Sequence, residues 1–190
     1  MKQHQTALIL IDMVNKMDFE GGEDLLENTL NIVEPLKSLK SQAKEQGLPI
    51  IYVNDNFGLW QENVADVIEE CKEGRGESVI KHISPEDDDY FIIKPKHSGF
   101  FGTQLSILLN KLGVNNLILT GIAGDICVLF TANDAYMREY NIWIPRDCVA
   151  SERQEDNQNA IRIMERSLSA NTTQSTQTTI QEAFLRRVNR

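Results

Sequence analysis

The sequence predicts an α/β protein with three layers, in which helices cover both faces of a doubly wound parallel sheet. Two observations support this prediction. Short apolar runs alternate along the chain with longer segments whose apolar residues recur at helical spacing. The apolar runs are hydrophobic throughout rather than at every second position, and this pattern is typical of parallel strands buried on both faces.

The composition predicts one domain over residues 1–190 and disfavours several classes of protein. The chain is 41% hydrophobic and 25% charged, as in ordinary globular domains. Its formal net charge of -9 repels phosphate backbones, so we expect no nucleic-acid partner. The apolar stretch near the N-terminus, residues 7–11, is too short for a secretory or membrane segment, and we expect a cytoplasmic protein without a membrane partner.

The first half of the chain predicts two strands and two helices. Gly47 and Pro49 end the longer helix, whose apolar residues form one stripe. Residues 72–89 are polar, charged and glycine-bearing, so we expect a long surface loop there. In chain order, the predicted elements are a strand at 6–11, a helix at 25–43, a strand at 49–54 and a short helix at 60–71.

The second half continues the alternation. Thr103 is a suitable cap for the first helix of this half, and Gly113 a suitable stop. The threonine-rich tail after residue 170 predicts a short edge strand and a closing helix. The other predicted strands cover residues 90–94, 116–121 and 141–145, and the helices cover residues 103–112, 127–139 and 154–168.

Three reactive side chains follow or end predicted strands. Asp12 follows the first strand, Lys94 ends the third, and Cys127 follows the fourth after a glycine-containing turn. Sites in parallel α/β sheets lie beyond the carboxyl ends of the strands. The sequence therefore predicts that a carboxylate, an ammonium and a thiol meet at one edge of the sheet.

Cys127 is the candidate nucleophile. Gly121 and Gly124 let the backbone turn sharply before it. The N–H groups of a helix start would favour the thiolate and could stabilise an oxyanion. The alternative is a buried structural cysteine, which is how we interpret Cys71 and Cys148. Three cysteines at wide spacing predict no disulfide framework.

Asp12 and Lys94 are the candidate partners of the thiol. A partly buried carboxylate has a raised pKa and can both take the thiol proton and return it to a leaving group. An ammonium would hold the thiolate and the carboxylate together. The alternatives are a helix cap or turn residue for Asp12 and a lysine that extends to solvent for Lys94. A Cys–His pair with His97 is a further possibility.

Several aromatic residues are possible pocket walls by position, although core packing is at least as good an explanation for each. They follow strand ends or lie in the glycine-flanked segment before the third predicted helix. No pair of histidines has the spacing of metal ligands, so we expect no metal. The possible pocket residues are Phe19, Phe57, Trp60, His97 and Phe100.

Three segments, taken together, resemble the isochorismatase-like family of cysteine hydrolases. They are ALILIDMVNKMDF, FIIKPKHSGFFGTQL and LILTGIAGDICVLFTANDAYMREY, in this order, and the similarity extends over residues 5–170. The resemblance implies a six-stranded parallel sheet and a catalytic Asp–Lys–Cys triad at Asp12, Lys94 and Cys127. It also implies a homo-oligomer, a dimer or a tetramer.

The resemblance further implies a cis peptide bond between Ile122 and Ala123, which would aim the Ala123 N–H and that of Cys127 at an oxyanion. The chain departs from the family at two places. The nicotinamidase branch has a metal-binding Asp-x-His motif after the second strand, whereas here Asp55 is followed by Phe57. Many members also have threonine at the position of Gly124, so substrate contacts are expected to differ.

The expected function is hydrolysis of a small amide-like C–N bond through a thioester, without metal or cofactor and with a small-molecule substrate. One alternative is vinyl ether hydrolysis of the isochorismatase type, although true isochorismatases generally lack the cysteine. Another is a non-catalytic binding or scaffold protein of the same fold. A redox-sensing thiol is a third alternative.

Overall fold

A computed structural model describes residues 5–56 and 64–185 of the chain. None of the helices in these ranges is long and apolar enough to cross a membrane. The strands are β1 (Thr6–Ile11), β2 (Ile50–Asp55), β3 (Tyr90–Lys94), β4 (Asn116–Gly121) and β5 (Asn141–Trp143). The helices are α1 (Gly22–Glu45), α2 (Val64–Lys72), α3 (Glu77–Ile83), α4 (Leu105–Leu112), α5 (Leu129–Met137), α6 (Gln154–Ser167) and α7 (Ile180–Leu185).

The sheet is parallel throughout, with the strand order β3-β2-β1-β4-β5. The chain moves outward from β1 to β2 and β3, and then returns to the other side of β1 for β4 and β5. The strand order therefore reverses between β1 and β4, which is the position where ligand sites form in doubly wound folds. The predicted fold class is confirmed.

Alternate residues of β1 face opposite layers of helices. Leu8 and Leu10 belong to the core shared with α1, α2, α3 and α7. Ala7, Ile9 and Ile11 belong to the core shared with α4, α5 and α6. Because both faces of the strand are buried, every residue of β1 must be able to lie in a core, which explains its continuous apolar run.

The sheet has five strands within the described residues, where the family resemblance implied six. The place beyond β5 is taken by Asn171, which forms a single parallel bridge with Trp143. Its N–H donates to the Ile142 carbonyl at 2.9 Å, and its carbonyl accepts the Ile144 N–H at 2.8 Å. The Asn171 side chain then accepts the Thr173 N–H at 3.0 Å, and this local turn ends the pairing after one residue.

The prediction of a surface loop at residues 72–89 is wrong for the central part of that range, which forms α3. Val79, Ile80 and Ile83 are buried on one side of this helix, in the core shared with α1. The Gly76 N–H donates to the Lys16 carbonyl at 3.1 Å just before α3 begins. The helix is stabilised by this tertiary packing rather than by a long periodic pattern, which is why the charged sequence around it suggested a loop.

Candidate active site

Asp12 lies immediately after β1, at the carboxyl edge of the sheet. Its backbone is in the left-handed region with φ 53, which is uncommon for residues other than glycine but accessible to aspartate. Its N–H donates to the Val53 carbonyl at 3.0 Å. Its carboxylate accepts the Asp55 N–H at 2.7 Å. The chain thus leaves the sheet at a point where the Asp12 side chain is held in place.

Lys94 reaches Asp12 and Cys127 from the end of β3. Its side chain is fully buried, and its Nζ lies 2.9 Å from Asp12 Oδ2. The same nitrogen lies 3.4 Å from Cys127 Sγ. The thiol is also hydrogen-bonded to the Asp12 carboxylate. The structure therefore brings together the three side chains that the strand ends predicted.

Burial and mutual charge perturb the ionisation of all three groups. Burial raises the pKa of Asp12 above its usual value, and the Lys94 charge opposes this effect. Burial, followed by the negative charge of Asp12, raises the pKa of the Cys127 thiol. Burial acts to lower the pKa of Lys94, but the charges of Asp12 and Cys127 outweigh it and the pKa rises. The resting cluster is a protonated thiol beside an ammonium and a carboxylate with raised proton affinity.

The expectation that the free protein favours the Cys127 thiolate is therefore wrong in direction. Cys127 does not begin an α-helix but lies in a single π-helical turn, Gly124–Val128, that precedes α5. The thiol is partly buried beside Asp12, and these two influences exceed the stabilisation of the thiolate by Lys94. Isolated π-helical turns recur at functional sites, where they reposition side chains.

The backbone before Cys127 is tightly folded. Gly121 has φ 111, and a Cβ at this position would overlap the Ile11 carbonyl oxygen, so the strand end requires glycine. The Ile122–Ala123 peptide bond is cis, as the resemblance implied. The Ala123 carbonyl accepts the Ile126 N–H at 3.2 Å. These features return the chain toward Asp12 directly after β4.

Two polar residues that the sequence did not point to stabilise this turn through hydrogen bonds and packing. Ser151 Oγ accepts the Asp125 N–H at 3.2 Å and lies 3.3 Å from Asn157 Oδ1. Asn157 Nδ2 donates to the Val149 carbonyl at 3.1 Å. The Asn157 side chain occupies the space where a Cβ of Gly124 would lie. No local pattern links these positions, because they meet only in the folded chain.

Asp55 is a second carboxylate at the same edge of the sheet. In the sequence it stood out only as the first position of an Asp-x-His metal motif whose histidine is absent. It is the last residue of β2 and is paired in register with Lys94. Its Oδ2 lies 3.5 Å from Lys94 Nζ, and its side chain is 36% exposed. The reasoning from strand ends could have found it if it had been applied to β2. Within the described part of the chain, no group of three or more histidine, cysteine, aspartate or glutamate side chains is arranged to hold a metal ion.

His97 is not one of the residues through which the structure holds the Cys127 thiol. It is exposed and packs against Phe130, with the ring centroids 5.4 Å apart. Phe130 lies three residues after Cys127, so His97 is near the beginning of α5. The thiol instead contacts Asp12 and Lys94. The geometry favours the Asp–Lys arrangement over a Cys–His pair.

The other candidate pocket residues have different surroundings. Phe19 is exposed near the start of α1. Phe100 is buried in the core and stacks on Tyr140, with the ring centroids 5.9 Å apart, so the structure favours its packing role. Phe57 and Trp60 lie outside the described residues.

The two remaining cysteines lie in the core. Cys71 and Cys148 are both buried among apolar side chains. Burial, assisted by the neighbouring Glu70 charge, raises the pKa of Cys71 to about 11. Burial likewise raises the pKa of Cys148. Cys127 is distinguished from both by its contacts with the Lys94 ammonium and the Asp12 carboxylate.

The fold and its strand-end cluster define a doubly wound α/β enzyme, and comparison with known proteins identifies its family. The model of the Isochorismatase domain matches residues 6–178. The chain is also 50% identical over 173 residues to the uncharacterized isochorismatase family protein YaaI of Bacillus subtilis (strain 168), covering 91% of this chain and 96% of that protein. The chain therefore belongs to the isochorismatase family and is a hydrolase of that family.

More distant relatives carry amidase names. Ureidoacrylate amidohydrolase RutB of Cronobacter sakazakii (strain ATCC BAA-894) is 28% identical over 163 residues, which cover 72% of this chain and 70% of RutB. The structure of N-carbamoylsarcosine amidase from Thermoplasma acidophilum has a TM-score of 0.70 at 29% identity and covers 94% of this chain and 99% of that one. The nicotinamidase SaPncA of Staphylococcus aureus has a TM-score of 0.66 at 26% identity, covering 89% and 99% of the two chains.

Proposed function

We propose that the chain is a cysteine hydrolase that cleaves a small amide-like C–N bond through a thioester, with Asp12, Lys94 and Cys127 as its catalytic triad. One observation carries the proposal. The Lys94 ammonium lies 2.9 Å from the Asp12 carboxylate and 3.4 Å from the Cys127 sulfur, at the carboxyl edge of the sheet. The thiol therefore has both a base to take its proton and a cation to stabilise the thiolate that results.

In the first half of the reaction, Asp12 removes the thiol proton as Cys127 Sγ attacks the carbonyl carbon of the substrate. The raised pKa of Asp12 improves it as a base, and the Lys94 charge compensates the thiolate. The tetrahedral intermediate then expels the amine, which takes the proton held by Asp12. The C–N bond is broken, the S–C bond is formed, and the carboxylate is restored.

The second half returns the free thiol. Asp12 takes a proton from water, and the hydroxide attacks the thioester carbonyl. The S–C bond breaks, the product leaves as a carboxylic acid, and Asp12 returns its proton to the Cys127 sulfur. The same residue acts as base and then acid in each half, which requires a pKa closer to neutrality than that of an exposed aspartate.

The oxyanion is held in this mechanism by the N–H groups of Ala123 and Cys127. The other N–H groups of the turn are engaged within the fold. Gly124 donates to the Ala150 carbonyl at 2.8 Å, and Asp125 donates to the Ser151 side chain at 3.2 Å. Ile126 donates to the Ala123 carbonyl. Ala123 and Cys127, which lie next to the sulfur, are the pair that the family resemblance implies for the oxyanion.

The relatives support this class of reaction. Ureidoacrylate amidohydrolase, N-carbamoylsarcosine amidase and nicotinamidase are all names of enzymes that hydrolyse C–N bonds. A thiol with an adjacent base suits such bonds, because acyl transfer to sulfur divides one difficult hydrolysis into two easier steps. The proposal extends this bond type, but none of these substrates, to the present chain.

The test is ammonia or amine release from a panel of small amides and ureides by the wild type, Cys127→Ala and the control Cys71→Ala. We expect turnover by the wild type and Cys71→Ala, a loss of at least about 1,000-fold in Cys127→Ala, and an acyl adduct on Cys127 by mass spectrometry. Turnover by Cys127→Ala close to wild type would overturn the proposal. Activity of that variant on isochorismate would favour vinyl ether hydrolysis, and absence of both turnover and adduct would favour a binding protein.

A further inference from the structure

We infer that Asp55 is a specificity-determining residue that makes this site select uncharged or cationic substrates over substrates that carry a carboxylate. The inference rests on the proposed function, because it assigns a substrate class to the same site. It concerns a residue outside the triad that lies in contact with it.

Asp55 supplies the solvent-facing carboxylate of the cluster. Its side chain is 36% exposed, whereas that of Asp12 is 6% exposed and that of Lys94 is fully buried. Its Oδ2 lies 3.5 Å from Lys94 Nζ. Its backbone is held because its N–H donates to Asp12 at 2.7 Å. The Asp55 carboxylate and the Cys127 sulfur thus both contact the Lys94 ammonium, so a substrate at the sulfur lies near this carboxylate.

The four side chains of the site, Asp12, Lys94, Cys127 and Asp55, carry one more negative charge than the triad alone. Asp12 and Lys94 carry opposite charges, burial raises the pKa of the Cys127 thiol so that it is neutral at rest, and Asp55 adds a second carboxylate. Proton transfer from the thiol to Asp12 moves a charge within the cluster but does not change the total. The excess negative charge thus persists while the thiolate attacks, and it would oppose an anionic substrate at the reacting step as well as on binding.

The loops around the site do not supply a compensating cation. The loop after β1 carries Asp18 and Glu20, and the first turn of α1 adds Glu23 and Asp24. Lys16 pairs with Glu70 at 3.6 Å, and Arg75 pairs with Asp18 at 3.8 Å and Glu23 at 3.3 Å.

In the sequence, the segment after β2 adds no basic residue, and the segment after β3 adds Lys96 and His97. The sequence of residues 57–63 contains Glu62 and no basic residue. Lys96 and His97 are both exposed, and water and salt screen the charge of Lys96. The local field at the carboxyl edge of β1 and β2 is therefore negative, in keeping with the net charge of -9 on the chain.

The charge preference can be measured at Cys127 itself with two reagents of similar size and opposite charge. These are the methanethiosulfonates that carry a 2-trimethylammonioethyl or a 2-sulfonatoethyl group. In each case the thiolate attacks the sulfenyl sulfur, forms a mixed disulfide and releases methanesulfinate. Because both reagents react with the same thiolate, the ratio of their rates cancels the thiol pKa and reports the local field.

The wild type should react with the cation faster than with the anion by about tenfold or more, relative to the same ratio for free 2-mercaptoethanol. The rates are followed by peptide mapping of Cys127 at about 10 mM ionic strength, where screening is weak. Asp55→Asn should bring the ratio close to that of the free thiol, and Asp55→Glu should retain most of it. The control Asp18→Asn, an exposed carboxylate paired with Arg75, should change the ratio by less than about twofold.

A wild-type ratio equal to that of the free thiol would overturn the inference, and so would an unchanged ratio in Asp55→Asn. Amide turnover with a preference for carboxylate-bearing substrates would overturn it while leaving the proposed hydrolase intact. Failure of the hydrolase proposal is seen separately, as absence of amide turnover, because the mixed disulfide needs only an accessible Cys127 sulfur.

Discussion

Lys94 and Asp12 form a buried ion pair, with 2.9 Å between Nζ and Oδ2, although Lys94 ends β3 and Asp12 follows β1, on the other side of β2. Removing one partner of such a pair leaves the other charge buried, and breaking buried pairs costs about 3–5 kcal/mol. Cys127 lies against this pair, and both members act on the pKa of its thiol. Asp12 raises this pKa and Lys94 lowers it. The pair therefore controls when the thiol can give up its proton.

Asp12→Asn should separate thiol reactivity from turnover. The variant loses the base, so turnover should fall by at least about 100-fold. It also removes the negative charge that raises the pKa of Cys127, so alkylation of Cys127 by iodoacetamide near neutral pH should become faster, by about tenfold for each pKa unit. The measurement is peptide mapping with Asp18→Asn as control. Slower alkylation in Asp12→Asn would show that Asp12 activates the thiol at rest.

The pH dependence of kcat/KM should have an acid limb above 3.8, the usual pKa of aspartate, because burial raises the pKa of Asp12. Activity is present when Asp12 is ionised and is lost as the pH falls through its raised pKa. The pKa of Lys94 lies above 10.5, so its charge is retained and we expect a plateau from about pH 7 to pH 9. Initial rates are compared with far-UV circular dichroism over the same range. A limb at or below 3.8, or a decline within the plateau, would contradict this assignment.

Gly124→Ala should be destabilising because its Cβ would overlap the Asn157 side chain and approach Val149 Cγ1 to 2.7 Å. Overpacking of this kind costs about 1–3 kcal/mol. In an Asn157→Ala background the space is available, so the same substitution should cost less. A double-mutant cycle by urea denaturation measures the coupling. Equal costs in the two backgrounds would mean that Asn157 is not what excludes a side chain at Gly124.

Lys40→Met should lower the free energy of unfolding by about 2–4 kcal/mol. Lys40 Nζ lies 2.9 Å from Asp89 Oδ2 and donates to the Tyr52 hydroxyl at 3.0 Å, and the Asp89 side chain is only 1% exposed. The variant leaves this carboxylate with Lys44 as its remaining cation, at 3.2 Å. The control is Lys37→Met on the exposed face of α1, where a change within about 0.5 kcal/mol is expected. Similar urea midpoints for both variants would contradict the prediction.

Lys44→Gln should destabilise the protein more at about pH 6 than at about pH 2.5. Hydrogen bonds from Lys44 lower the pKa of Glu86 and of Asp88 below their usual values of 4.5 and 3.8. This stabilisation is present above those values and is lost as the pH falls through the lower pKa of the folded state. Melting temperatures of the wild type, Lys44→Gln and the control Lys37→Gln are compared at both pH values. A difference that grows toward acid pH would have the opposite sign.

The sequence determined the strands because the residues of a central parallel strand are buried on both faces and must all be apolar. The runs at β1, β3 and β4 were predicted with the bounds that the structure shows. The ends of these runs identified Asp12, Lys94 and Cys127, since the carboxyl ends of parallel strands share one edge. The same local reasoning missed α3. Its seven residues are too few to show a clear helical repeat of apolar positions, and contacts with α1 stabilise the helix instead.

Only the tertiary structure decided how the residues at that edge act on one another. The strand register places Asp55 beside Lys94, and the packing of α6 places Asn157 against Gly124. The direction of the Cys127 pKa shift likewise depends on how deeply the thiol lies and how close Asp12 is, and neither can be read from local sequence. Periodicity along a chain records which faces are buried, whereas electrostatic interactions depend on distances between atoms that are remote in the chain.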